Sequence, residues 1–223
     1  SITVPAAPVV PLNLTTGPWY FWCGLQPYGG GVVQPVLGWR ESEPNALNPN
    51  PPFPKVWEMN LWAVPWNGAN QPPPQTAQMS SGIWADEGAL IASTVIWETE
   101  SSEWVQTANV LSGAAAGQPV SMITPASFLS DGDNHTFYAL CLPRRLYGTH
   151  AGQYWHFNVT LTNVVFRAIT SVGVQSLCAS AADYSNDQGG IAFAGFKMVD
   201  PETCYWESIT LMPPGLSELR KNQ

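Results

Sequence analysis

In two stretches of this chain apolar and polar residues alternate with a period of two, the signature of half-buried strands. In "YWHFNVTLTNVVFRAI" (154–169), Trp155, Phe157, Val159 and Leu161 alternate with His156, Asn158, Thr160 and Thr162. Near Val164-Val165 the apolar set changes parity, which predicts a bulge or bend. "KVWEMNLWAV" (55–64) places Trp57, Met59 and Leu61 on one side and Glu58, Asn60 and Trp62 on the other. "GPWYFWCGL" (17–25) is different: Trp19, Tyr20, Phe21 and Trp22 are consecutive, so a strand here has rings on both faces and needs cover on both.

Further strands are expected at "VVQPVLGW", edge-like because of Pro35, and at "PVSMIT", "HTFYALCL", "VGVQSLC", "GIAFAGFKMV" and "CYWESITLM". "ALIASTVIWETE" and "EWVQTANVL" read as a hairpin turning at Ser101-Ser102. Two Pro-rich segments, 40–54 and 65–75, read as long loops. No long helix, heptad or repeat emerges. The expectation is a single all-β domain.

Composition sharpens this. Pro (21), Gly (19) and Trp (11) are abundant among 223 residues, a mixture poor for helices and suited to short strands joined by fixed turns. Only 11% of residues are charged and the formal net charge is −8. The basic residues cluster only as Arg144-Arg145 and Arg220-Lys221, so no nucleic-acid footprint is expected. No apolar run reaches the length of a membrane-spanning helix, and membrane insertion is not expected. The four cysteines, Cys23, Cys141, Cys178 and Cys204, are widely spaced in apolar stretches and read mostly as buried free thiols.

Catalytic signatures are absent: there is no GxSxG, Walker A, GxGxxG or HExxH. His135, His150 and His156 have no metal-ligand spacing. "SDGDNHT" (130–136) and "DYSNDQGG" (183–190) are oxygen-rich but lack an EF-hand frame and read as turns. Acids beside tryptophans in "WADEGA" and "IWETESSEW" read as solvated strand ends. Sequons occur at Asn13, Asn134 and Asn158. The expectation is a non-enzymatic protein without cofactor or metal.

What remains is recognition. Tyr28 in "PYGGG", Trp39 and Arg40 in "GWRESE", and Trp66, Asn67 and Asn70 in "AVPWNGANQ" combine aromatics, amides and an arginine at loops held by a β scaffold. These six are the candidate receptor-contact residues.

Two stretches carry a family resemblance. "PLNLTTGPWYFWCGL" is similar to the start of the astrovirus capsid spike, where a proline-containing connector leads into a Gly-plus-aromatic strand. "FKMVDPETCYWESITLMPPG" is similar to the spike's end, with Pro201, Glu202, Thr203, Cys204, Tyr205 and Ile209 in the matching positions. The match covers roughly 35 residues by the same motif reading and resembles a divergent mamastrovirus.

The resemblance implies a β-barrel core with surrounding β layers and long Pro-rich loops. It implies a linker over 1–16, a spike β domain over 17–215 and a C-terminal tail over 216–223. It further implies a homodimer on the virion surface that binds a host-cell receptor, protein or glycan, and is met by neutralising antibodies. Assembly in the host cytoplasm would leave the cysteines mostly reduced and the sequons unmodified. The alternative kept beside it is a secreted carbohydrate-binding β-sandwich.

Overall fold

The computed structural model describes residues 1–8, 18–27, 30–41, 55–65, 76–129, 137–145, 155–181, 184–186 and 189–213. Among them the chain forms two sheets. The six-stranded sheet is built from β2 (Trp19–Pro27), β3 (Val32–Glu41), β4 (Lys55–Val64), β5 (Gln78–Met79), β6 (Ile83–Ala85) and β10 (Phe137–Arg145). Its order is β10-β2-β3-β4-β5, with β6 also on β4. The nine-stranded sheet uses β1 (Ile2–Thr3), β7 (Leu90–Glu98), β8 (Glu103–Val110), β9 (Pro119–Pro125), β11 (Val159–Arg167), β12 (Tyr184–Asn186), β13 (Gly189–Ala194), β14 (Lys197–Asp200) and β15 (Thr203–Met212). Its order is β12-β13-β15-β11-β1-β7-β8-β9, with β14 also on β15. The single all-β domain is as expected, but the barrel is not closed: two open sheets face each other.

Between them lies the core. Trp19, Phe21, Leu37, Trp39, Trp57 and Met59 from the six-stranded sheet are all buried, against Ile91, Val110, Val159, Ile209 and Leu211 from the other. The rings pack at steep angles, Phe21 on Trp155 edge to face and Trp39 on Trp57 tilted. Phe21 meets Trp155 at 5.3 Å and Trp39 meets Trp57 at 5.3 Å between centroids. Each such ring removes roughly 150–250 Å² from water, so this cluster dominates the drive to fold. Gln106 ties the sheets, its amide donating to the Trp62 carbonyl at 3.0 Å.

The consecutive aromatics of β2 are indeed covered on both sides. Trp19 and Phe21 face the second sheet, Trp22 is buried on the opposite face, and Tyr20 packs there on Trp62 at 6.0 Å.

Four expectations are corrected. β3 is an interior strand, paired with both β2 and β4. Pro35 is tolerated because the β2–β3 ladder lapses beside it, between Trp22↔Val36 and Leu25↔Val33, while Pro35 keeps its register with Leu61 of β4. A proline has no N–H to offer a ladder, and here none is asked of it. Gly24 sits in the same lapse; a Cβ there would collide with the Val33 carbonyl oxygen.

"VGVQSLC" is not a strand. Val174–Ala179 is a short helix entered through Gly173 at φ 77°, and it buries Val174 and Cys178, four residues apart on one face. Cys178 is disulfide-bonded to Cys204, and Cys23 is disulfide-bonded too, so the expectation of free thiols fails. Apolar surroundings are shared by buried thiols and buried disulfides, and sequence spacing alone does not separate the two. Lastly, the opening residues belong to the fold. Ile2 pairs with Leu161 and Ile91, Ser1 and Thr162 exchange backbone bonds, and Ile2 and Val4 enter the core.

The parity change foreseen in β11 is present and wider than one strand. Asn163, at φ 51°, separates the buried-side set Val159 and Leu161 from Val164 and Phe166. Its register neighbours Thr162↔Ser208 and Val164↔Trp206 place it opposite Glu207, where β15 changes side as well. On the far side of β15, β13 ends at Ala194↔Ser208 and β14 begins at Lys197↔Tyr205, broken by Gly195 at φ 65°. Three neighbouring strands therefore break along one row, and the sheet is creased there.

Candidate recognition surface

Of the six residues singled out from the sequence, Tyr28, Trp66, Asn67 and Asn70 lie outside the described residues. The other two are placed apart in role although adjacent in sequence. Trp39 is 4% exposed and stacked in the core, so its ring has no face to offer a partner. Arg40, next along β3, points to the other face of the sheet. Its Nε lies 3.6 Å from Glu58 Oε2, and its Nη1 donates to the Met79 sulfur at 3.2 Å.

Glu58 is buried, and its carboxylate lies so close to Gly82 that any Cβ there would strike it. Around this pair the backbone is tightly fixed. Leu61 donates its N–H to Ser80 Oγ at 2.9 Å, and Ser80 returns its own N–H to the Leu61 carbonyl at 2.9 Å. The result is a guanidinium held at the end of a rigid strand by a partly desolvated carboxylate. Glu58 was placed on the correct side of β4 by alternation, but its meeting with Arg40 depends on the β3–β4 register, which sequence does not reveal.

The acids of "WADEGA" include a structural one. Asp86 Oδ1 accepts the Ala114 N–H at 2.9 Å, pinning the 113–117 turn rather than facing a substrate.

A second feature was not signalled by any motif. A cleft of about 320 Å³ opens between the helical segment and the β14–β15 hairpin, lined by Ser171, Gln175, Met198, Asp200 and Pro201. Asp200 Oδ1 accepts the Glu202 N–H at 2.9 Å. That bond, followed by one to the Thr203 side chain and the field of Arg167, holds the carboxyl below the ordinary aspartate value, although the group is fully exposed. The disulfide joins the two walls from beneath: Cys178 is on the helix, and Cys204 stands in register with Met198. Asp200 is the one titratable group among the lining residues, so the cleft holds no carboxylate pair of the kind that cleaves glycosides. Among the described residues no group of three His, Cys, Asp or Glu side chains gathers to hold a metal ion, and no helix is long and apolar enough to cross a membrane.

The outer face of the nine-stranded sheet carries the third feature. Ile96, Val105 and Ile123 stand in one cross-strand row over β7, β8 and β9, and both isoleucines are about half exposed, at 48% and 58%. The next row, Thr94, Thr107 and Ser121, is uncharged, with the two threonine hydroxyls 2.6 Å apart.

No protein family, curated protein or solved structure matches this chain.

Proposed function

We propose that this chain is the projecting spike domain of a viral capsid protein, a non-enzymatic domain that attaches the particle to a host-cell receptor, protein or glycan, and is exposed to neutralising antibodies. The observation that carries the reading is where the two spike-like segments fall. "GPWYFWCGL" contributes β2, the first long strand among the described residues, and "CYWESITLM" contributes β15, the last among them, and each is an interior strand of its own sheet. The described part of each segment thus centres on an interior strand.

The reading includes a homodimer on the virion surface. The Ile96–Val105–Ile123 row and its uncharged neighbour supply exposed apolar surface of the kind that a twofold-related copy covers. Light scattering on the purified chain tests this. A mass near twice 24.2 kDa, returning to one chain in Ile96→Lys/Ile123→Lys, supports it. A monomer at high concentration removes the dimer from the reading. Attachment is tested by binding of the labelled chain to permissive cells, and absence of saturable binding overturns it.

The disulfides favour a second reading, a secreted carbohydrate-binding β-sandwich, because such bonds persist where the surroundings are oxidising. The outside of a released particle is also oxidising. A glycan-binding monomer distinguishes the secreted module from the spike.

A further inference from the structure

We propose that the cleft between the 171–175 segment and the β14–β15 hairpin receives a cationic side chain, a guanidinium or ammonium, from a protein partner; this rests on the attachment reading above. The lining sets the Asp200 carboxylate, an acceptor only, beside the Ser171 hydroxyl and the Gln175 amide, which both accept and donate, with no lysine or arginine among them. Arginine and lysine are donors only, so they are the side chains that complement the carboxylate. Met198 adds a soft apolar wall against which an alkyl stem packs.

The nearby cations do not fill this role themselves. Lys197 alternates to the other face of β14, with its ammonium 4.6 Å over the Tyr205 ring. Arg167 adds to the field at Asp200 but is not among the lining residues.

The rim selects the class of partner. Ile169 and Val172, close to Ser171 in the chain, are 70% and 87% exposed, an apolar surround that fits a protein loop better than a sugar, whose hydroxyls it cannot pair. The net charge of −8 draws cationic surfaces toward the chain. The Cys178–Cys204 bond fixes the two walls before anything binds, which lowers the ordering cost of binding.

The probes are N-acetyl-arginine amide and, as the competing chemistry, a neutral methyl hexoside, each titrated into the ¹⁵N-labelled chain. The arginine probe is expected to shift the amides of Gln175, Glu202 and Thr203 with millimolar saturation, and at least about fivefold more weakly in Asp200→Asn, as expected when a charge-assisted bond is lost. Asparagine keeps an acceptor for the Glu202 N–H, so the turn survives the change. Ser171→Arg, which fills the cleft with its own guanidinium, is expected to abolish the response. Shifts from the hexoside in place of arginine, equal affinity in Asp200→Asn, or no response at these amides overturns the proposal. On cells, full binding by Ser171→Arg overturns the role of the cleft in attachment while leaving attachment itself standing. If the unaltered chain binds no cells, the attachment reading fails, and the arginine titration still decides the chemistry of the cleft.

Discussion

The Tyr205 hydroxyl donates a 2.8 Å hydrogen bond to Asn163 Oδ1, joining β15 to the residue at which β11 changes side. Asparagine suits this position twice over. It tolerates the left-handed conformation at φ 51°, and its side-chain oxygen accepts the phenol. Asn163→Val imposes a β-branched side chain there and is expected to cost about 1–2 kcal/mol of stability, with Asn163→Gly costing less. Tyr205→Phe is expected to cost about 1 kcal/mol. Urea unfolding of the three variants checks the order.

Trp39 and Arg40, adjacent in sequence, support the fold by different means. Trp39→Ala empties a large site in the ring cluster and is expected to lose about 3–5 kcal/mol, so weaker cell binding by that variant reports unfolding. Arg40→Ala leaves the inter-sheet ring cluster intact but takes the guanidinium from beside the buried Glu58 carboxylate, so it too is expected to lose stability. Thermal melts beside cell binding for both variants show how much of any binding loss is unfolding.

Gly24→Ala is expected to destabilise by about 1–3 kcal/mol, because the new methyl group meets the Val33 carbonyl oxygen and lies 2.8 Å from Gln34 Cβ. Backbone cannot yield as a flexible side-chain tip does. A denaturation midpoint unchanged from the parent would show that β2 and β3 separate more readily than their register implies.

Cys178→Ser/Cys204→Ser opens a cross-link spanning 26 residues, and loop-closure entropy predicts a loss of about 3 kcal/mol. Protection of the 174–179 amides from hydrogen exchange is expected to fall more than that of β7 or β8, which lie elsewhere in the sheet. Uniform loss across the domain would instead assign the bond a global role.

Asp200 sets a pH dependence of known sign. Its folded value lies below the unfolded one, so its contribution is present above the ordinary aspartate value and is lost as pH falls through the folded value. The main cause is the Glu202 N–H bond, so an NMR titration of the Asp200 carboxyl should move in step with the Glu202 amide. An unshifted titration would remove the bond from the account.

Period-two patterning made part of the fold legible. It gave β4, β11 and the parity change in β11, because each strand has one face toward the core and records it locally, while composition and turn signals gave β7, β8, β15 and the hairpin closing at Ser101-Ser102. Pro35 misled for a physical reason: whether a missing N–H matters depends on what the neighbouring strand asks of that position, and only the β2–β3 register answers it. Val174–Ala179 is too short for its period to be distinguished from a strand. The cleft around Asp200 comes from two separate stretches, 171–175 and 198–201, brought together by a hairpin, a helix and a disulfide, none of which leaves a linear motif.

The placing of β1 has a consequence in time. Ile2 and Thr3 are inserted between β7 and β11, whose residues lie some ninety to one hundred and sixty positions later, and β11 in turn leans on β15 near residue 211. The nine-stranded sheet therefore cannot be completed until the residues of β15 have been made, since β1 waits on strands that lie far later in the chain. Closing such distant pairings is slow, and a domain built this way gains its order late and in one step. Refolding from denaturant is accordingly expected on the scale of roughly milliseconds to seconds, with β1 and β15 acquiring protection together.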